Sequence, residues 1–378
     1  MKTKITDLFK IKHPIVLSGM SWISTPELVA AVAEAGGLGI LATGVMPPHE
    51  TEEAVRKVRS LTKKPFAANV TLYFPGSEIN ADVLIRERVP IVNYSLGKGD
   101  WIAEAVHAYG GKVIATVTTL KHALAAQAEG ADALLVTGHE AAGHGGTVTS
   151  LALVPSIVDA VKIPVIAAGG FADGRGLAAA LALGAEGIAM GTRFMNTVES
   201  PVHELQKRMS VEMSAFDTVY TDRVDGMFAR MMDADGSRRM TRKWLNPFAA
   251  AWKGTQIAKE LGLPVSKLIS GMMFPKPRKA AAAKPAVKPA DAPRPRRKKG
   301  LFDGVKKNWR MMKQLSRMAV GFGAFKAGTM EGDNRKGVLP LGQITGIIHD
   351  TPKVKEVVDR IVKDATAVMK ASAKRVKF

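Results

Sequence analysis

"PVIAAGGFADGRGLAAALALGAEGIAMGTRF", residues 164–194, carries the pattern on which the fold turns. A short apolar run stops at Gly169-Gly170, and an Ala/Leu-rich helical pattern follows over 174–183. A second apolar run, "GIAMG" (187–191), stops at another glycine. Strand, helix and strand in this order imply parallel pairing, and the near-continuous apolar character is that of strands buried on both faces.

The same unit recurs on the N-terminal side. "PIVLS" (14–18) leads to a helical pattern at 26–36, "GLGIL" (37–41) to one at 50–61, and "PFAANV" (65–70) to one near 78–88. "PIVNYS" (90–95) precedes 101–109, "KVIATV" (112–117) precedes 121–129, and "DALLV" (132–136) precedes 150–160. With a last helix near 202–213, eight β-then-α units are expected. Eight favour an α/β fold closed as a (β/α)8 TIM barrel. An open sheet of six or seven strands, with one unit misread, is the alternative.

The remainder of the 378 residues is organised differently. The expected division is a barrel over 1–215, a helical and loop extension over 216–274, a basic Pro/Ala-rich linker over 275–300, and a C-terminal helical segment over 301–378. In that last segment Val354, Val357, Val358, Ile361 and Val362 recur at helical spacing and predict a helix packed back on the barrel. Residues 276–317 hold 15 Lys/Arg against Asp291 and Asp303, a net +13 of the chain's +20. Such an arm can hold phosphorylated ligands, anionic lipid or nucleic acid. Its linker part, 275–300, has no aromatics for base stacking, so nucleic acid is the least favoured of these. Met311, Met312, Leu315 and Met318 give it a second, helical-looking half.

No cysteine is present. Disulfides, thiolate metal sites and a cysteine nucleophile are thereby excluded, and a cytoplasmic location is expected. No apolar run is long enough for a membrane span, the start carries no secretory-signal pattern, and no histidine and carboxylate spacing suggests a metal site. A homodimer is an open expectation.

In a barrel the loops after the strands build the active site. Those ends carry "SGMS" (18–21), Asn69, Thr116 to Thr118, "GHEAAGHGG" (138–146), "AGGFADG" (168–174) and "AMGTRF" (189–194). Gly169 and Gly170 after strand seven, with Gly191 and Thr192 after strand eight, expose backbone N–H groups before helices and predict a phosphate cradle. Tight β-to-α turns without a ligand are the plainer reading. Gly143, Gly145 and Gly146 leave the His144 imidazole little steric cover, which makes it the preferred proton acceptor. His139, beside Glu140, reads as structural.

These residues bear a resemblance. "SGMSW" (18–22), "AGGLGIL" (35–41), the glycine-framed His144, residues 167–194 and "TVESPVHE" (197–204) together resemble the nitronate monooxygenases, FMN-dependent barrel flavoproteins. "TDRVDGM" (221–227), "GQITGII" (342–348) and the long C-terminal part look more like flavin oxidoreductases of the same superfamily that act on CoA thioesters in bacterial steroid-ring breakdown. The resemblance implies FMN with its phosphate on Gly169, Gly170, Gly191 and Thr192. It implies a ring near Gly19 and Met20 with Asn69 in contact, Gly143 and Met190 among the cofactor-binding residues, and His144 as the catalytic base. Where the family usually has Gly-Gly-His, this chain has Ala142-Gly143-His144. Oxidation of a nitronate with oxygen as acceptor is the first expectation, and an acyl-CoA or acyl-carrier substrate is the second. Nucleic-acid or membrane-surface binding through the basic arm is the third.

Overall fold

The computed structural model describes residues 1–73, 77–242, 317–318 and 320–375. Eight parallel strands form its centre: β1 (Ile15–Leu17), β2 (Leu38–Ala42), β3 (Ala67–Thr71), β4 (Ile91–Ser95), β5 (Lys112–Val117), β6 (Ala133–Thr137), β7 (Val165–Ala168) and β8 (Gly187–Met190). β8 pairs with β1 through Ile15↔Ile188, Val16↔Ala189 and Leu17↔Met190. The sheet therefore closes into a barrel, and the open-sheet alternative is excluded.

Side chains alternate between the two faces of a strand, and here the alternation separates two apolar layers. Val16, Leu38, Ile40, Ala67, Ile91, Ile114, Leu135, Ile166 and Ala189 fill the barrel interior, joined by Ile5 and Phe9 of the N-terminal helix Lys4–Phe9. Their neighbours Leu17, Leu41, Ala68, Val92, Val113, Leu134, Val165, Ile188 and Met190 pack outward under the helices. Towards the C-terminal ends of β3, β4 and β5 the inward series turns polar. The buried Asn69 donates from Nδ2 to Asn93 Oδ1 at 2.7 Å, and Asn93 Nδ2 donates to Thr116 Oγ1 and to the Ile114 carbonyl, both at 3.0 Å. The interior is lined by apolar side chains below this ladder and is hydrogen-bonding at it.

The helix Gly174–Ala182 shows why the stretch at 164–194 folds as it does. Asp173 caps it by accepting from the Gly176 N–H at 3.0 Å. It ends where Gly184 takes φ +86° and the Ala185 N–H returns to the Ala180 carbonyl at 3.0 Å. The C-terminal helix Val354–Arg375 lies against it, burying Val354, Val357, Val358, Ile361 and Ala365. Its first N–H donates to the Glu199 carboxylate at 2.9 Å. The two helices approach tightly at Gly174, where a Cβ would overlap the backbone of Ala365.

Outside the barrel, β9 (Thr218–Thr221) and β10 (Ala229–Met232) form an antiparallel pair. A helix over 320–331 packs beside it, with Ala324 and Phe325 in one apolar cluster with Val224, Ala229, Met231 and Val338. The basic linker 275–300 and the methionines Met311 and Met312 lie outside the described residues. Among the described residues no helix is long and apolar enough to cross a membrane.

Replacing Gly174 by alanine is expected to push the C-terminal helix away from Gly174–Ala182. Overpacking of this kind costs about 1–3 kcal/mol. Thermal unfolding should show a lowered midpoint, and limited proteolysis should cut within Val354–Arg375 sooner than in the parent protein.

Candidate active site

The rim of the barrel gathers the glycines and the polar groups at the strand ends. Gly19 sits against Asn69: a Cβ at Gly19 would come within 2.8 Å of the Asn69 Cβ. Met20 follows, its N–H donating to Ser24 Oγ at 3.0 Å. Its thioether lies over Gly191, where an added Cβ would be 3.1 Å from the sulfur. Gly169 and Gly170 both take the left-handed conformation, at φ +91° and +81°. A Cβ at Gly169 would also be tight, 3.0 Å from the Gly138 carbonyl. Met190 is placed differently: its side chain is buried in the layer between barrel and helices, and only its backbone borders the rim, the carbonyl accepting from the Ser18 N–H.

The loop 138–146 is held by the β9–β10 pair. Gly143, at φ +66°, exchanges two backbone hydrogen bonds with Arg230, at 3.0 and 3.2 Å. Tyr220 donates its hydroxyl to the Gly145 carbonyl at 3.0 Å. The Arg230 guanidinium donates to the Thr218 hydroxyl and to His139 Nε2, at 3.0 and 2.9 Å, and lies over the Tyr220 ring. Burial holds the Arg230 pKa below its ordinary value, offset in part by Tyr220 and Glu140. His139 Nδ1 meets the Gly146 carbonyl at 2.9 Å, so both of its ring nitrogens are occupied in holding the loop. His144 is arranged otherwise. Its Nε2 lies 2.6 Å from Oδ2 of Asp225, a fully buried carboxylate, while its own side chain stays 31% exposed.

A second segment closes the β7–β8 side. The Gly342 N–H donates to Thr192 Oγ1 at 3.1 Å, and the Gln343 N–H donates to the Glu140 carbonyl at 3.0 Å. Eight residues on, Asp350 accepts from buried Arg193 through its carboxylate (2.6 Å) and its carbonyl (2.7 Å). Burial pulls Arg193 below its ordinary pKa, against the opposing hydrogen bond and charge of Asp350. Burial pushes the Asp350 carboxyl up, but bonds from Arg360 and Arg193 outweigh it and hold the pKa below its ordinary value. The amides of Gly170, Gly191 and Thr192 donate to nothing among the described residues.

Comparison with known proteins gives this geometry a context. The family model described as nitronate monooxygenase matches residues 2–79 and 74–364. The chain belongs to the nitronate monooxygenase family. It is a flavin-dependent oxidoreductase, as the resemblance at 167–204 implied. Over 97% of this chain and 96% of the relative, it is 37% identical to the Rhodococcus jostii protein named (3aS,4S,5R,7aS)-5-hydroxy-7a-methyl-1-oxo-octahydro-1H-indene-4-carboxyl-CoA dehydrogenase. A probable nitronate monooxygenase of Staphylococcus saprophyticus is 32% identical over 64% of this chain and 81% of its own length. The structure of FabK from Thermotoga maritima superposes with a TM-score of 0.77 at 32% identity, covering 100% of both chains.

The residues at the rim of this family member suit a flavin. Side chains are withheld at Gly169, Gly170 and Gly191, where free amides collect, as an anionic phosphate needs. Asn69, steadied by Asn93, offers an amide at the rim for a heterocycle edge. Sequence reading placed Gly19, Met20, Asn69, Gly143, His144, Gly169, Gly170, Gly191 and Thr192 on this face, and the fold brings them to one rim. It missed Asp225, Tyr220, Arg230, Gly342 and Gln343. The stretches "TDRVDGM" and "GQITGII" had stood out, yet nothing local in them says which loop they touch.

Because the folded pKa of Asp350 is depressed, its contribution to stability is complete above the unfolded carboxylate pKa, about 3.9. It is lost as pH falls through the lower folded value. Asp350→Asn is therefore expected to lower the urea midpoint at neutral pH and to flatten its fall on acidification. An unchanged acid limb would remove Asp350 from the account.

Proposed function

We propose that the chain is an FMN-dependent oxidoreductase acting on a carbon acid carried as a CoA thioester. The observation that carries this reading is length. The match to the carboxyl-CoA dehydrogenase of Rhodococcus jostii runs through nearly the whole of both chains. It therefore takes in the segments outside the barrel that hold the loop of His144 and cover Thr192. Nitronate oxidation, with oxygen as acceptor, is the second reading. It is favoured by the family model and by the glycine-framed histidine, but the matched nitronate relative covers only 64% of the chain.

On either reading the roles are the same. Free amides at Gly170, Gly191 and Thr192, beside Gly169, bind the FMN phosphate, and Gly19, Met20 and Asn69 border its ring. The flavin, when bound, supplies the two-electron chemistry. His144 takes a proton from the carbon next to the activating group, a thioester carbonyl or, where the substrate arrives as the neutral nitroalkane, a nitro group; a nitronate arrives with that proton already lost. His139 holds the loop. The cysteine-free chain suits a reducing cytoplasm.

The purified protein should be yellow and release FMN on denaturation. Anaerobic bleaching with a panel of a CoA thioester, an alkyl nitronate, NADH and NADPH is expected to be fastest with the CoA thioester. Fastest bleaching by the nitronate would establish the second reading, and a protein that takes up no flavin would overturn both. His144→Ala is expected to keep the flavin and lose substrate oxidation by roughly 10²–10⁴-fold, the range for a missing general base. His139→Ala should lose less, and the reverse order would move the base to His139.

A further inference from the structure

Asp225 comes from the connection between β9 and β10, 81 positions from the histidine it meets. Its carboxylate is fully buried. Val224 beside it packs with Met231, Ala324, Phe325 and Val338. Gly321 backs directly onto it: a Cβ there would come within 2.6 Å of the Asp225 Cβ. Burying a polar group is costly unless its hydrogen-bonding atoms find partners, and both of these oxygens do. Oδ1 accepts from the Met227 N–H at 3.1 Å, and Oδ2 meets His144 Nε2 at 2.6 Å. His144 Nδ1 makes no hydrogen bond among the described residues and is not sealed from solvent.

From this juxtaposition we infer that Asp225 is a positioning residue. It holds His144 as the Nε2–H tautomer and so makes Nδ1 the atom that takes the substrate proton. The inference rests on the reading of His144 as the base. A carboxylate only accepts, so the nitrogen facing it carries hydrogen and the opposite nitrogen keeps its lone pair. In the proton transfer the substrate C–H bond breaks and its electron pair stays with the substrate. A bond from Nδ1 to that proton forms, and the ring becomes imidazolium. Nε2–H remains on Asp225, whose charge now faces a cation, and the proton later leaves from Nδ1 to solvent. The fixed carboxylate holds the ring's orientation before the transfer and stabilises its charge after it.

Asp225→Asn separates these roles because the two oxygens have different partners. The Met227 N–H retains the amide oxygen, which turns the amide NH₂ toward His144. Nε2 must then accept, and the ring's single hydrogen moves to Nδ1. Nitrogen NMR of the flavin-loaded protein labelled at histidine, at a pH where the imidazole is neutral, is expected to find His144 as Nε2–H in the parent. The same spectrum should find Nδ1–H in Asp225→Asn. Turnover should fall by roughly 10²–10⁴-fold in kcat with KM changed only a few-fold, and flavin content should be retained. Asp225→Glu, which keeps the carboxylate, should keep Nε2–H and recover part of kcat. An Nδ1–H tautomer in the parent protein overturns the inference even if Asp225→Asn fails to fold. So does an Asp225→Asn enzyme with parental tautomer and parental kcat. Either result leaves the function reading intact if His144→Ala is inactive, whereas an active His144→Ala protein removes that reading first.

Discussion

Gly143 and Arg230 trade two backbone hydrogen bonds, and most of the active-site architecture hangs on that exchange. The loop after β6 is rich in glycine and has no secondary structure to hold it. Left to itself it would sample many backbone states, since glycine has the most conformational freedom to lose. Pairing with β10 fixes its centre, and the Tyr220 hydroxyl fixes Gly145. The Arg230 side chain then occupies His139 from one side while the Gly146 carbonyl occupies it from the other. Of the two histidines in the loop, only His144 keeps a ring nitrogen available among the described residues.

The opposite side of the rim follows the same logic with different partners. Gly342 and Gln343 tie to Thr192 and Glu140, and Arg193 anchors the far end of that segment through Asp350. Two segments outside the eight-unit repeat thus bind two loops of the candidate site. This explains why a match over the whole chain says more about substrate than a match over the barrel. The barrel rim presents the glycines and the Asn69 amide, and the outer segments border that rim at the loops after β6 and β8.

Within the barrel the chemistry is sorted by strand parity. Asn69 lies two residues beyond inward-facing Ala67, so it reaches the interior at the rim and meets Asn93 from the next strand. Met190 has the other parity and points into the helix layer. Residues at neighbouring strand ends can therefore stand in different environments, and a motif such as "AMGTRF" does not say which of its side chains face a ligand. The backbone at Gly191 and Thr192 borders the rim whichever way Met190 points.

Eight apolar runs ending in glycine or polar residues were enough, by themselves, to determine a parallel barrel and the rim at which its strand-end glycines gather. Those properties depend on alternation and backbone freedom, both local to a few residues. They also isolated His144, because its glycine neighbours are adjacent in the chain. The buried carboxylate behind it, the arginine that occupies His139 and the segment over Thr192 come from 81, 91 and 150 positions away. No periodicity spans such distances. An aspartate in "TDRVDGM" is chemically the same as any exposed aspartate until folding removes its water and leaves His144 and the Met227 N–H as its partners. Only the tertiary structure decides that, because desolvation and pairing are properties of the packed surroundings and not of the residue.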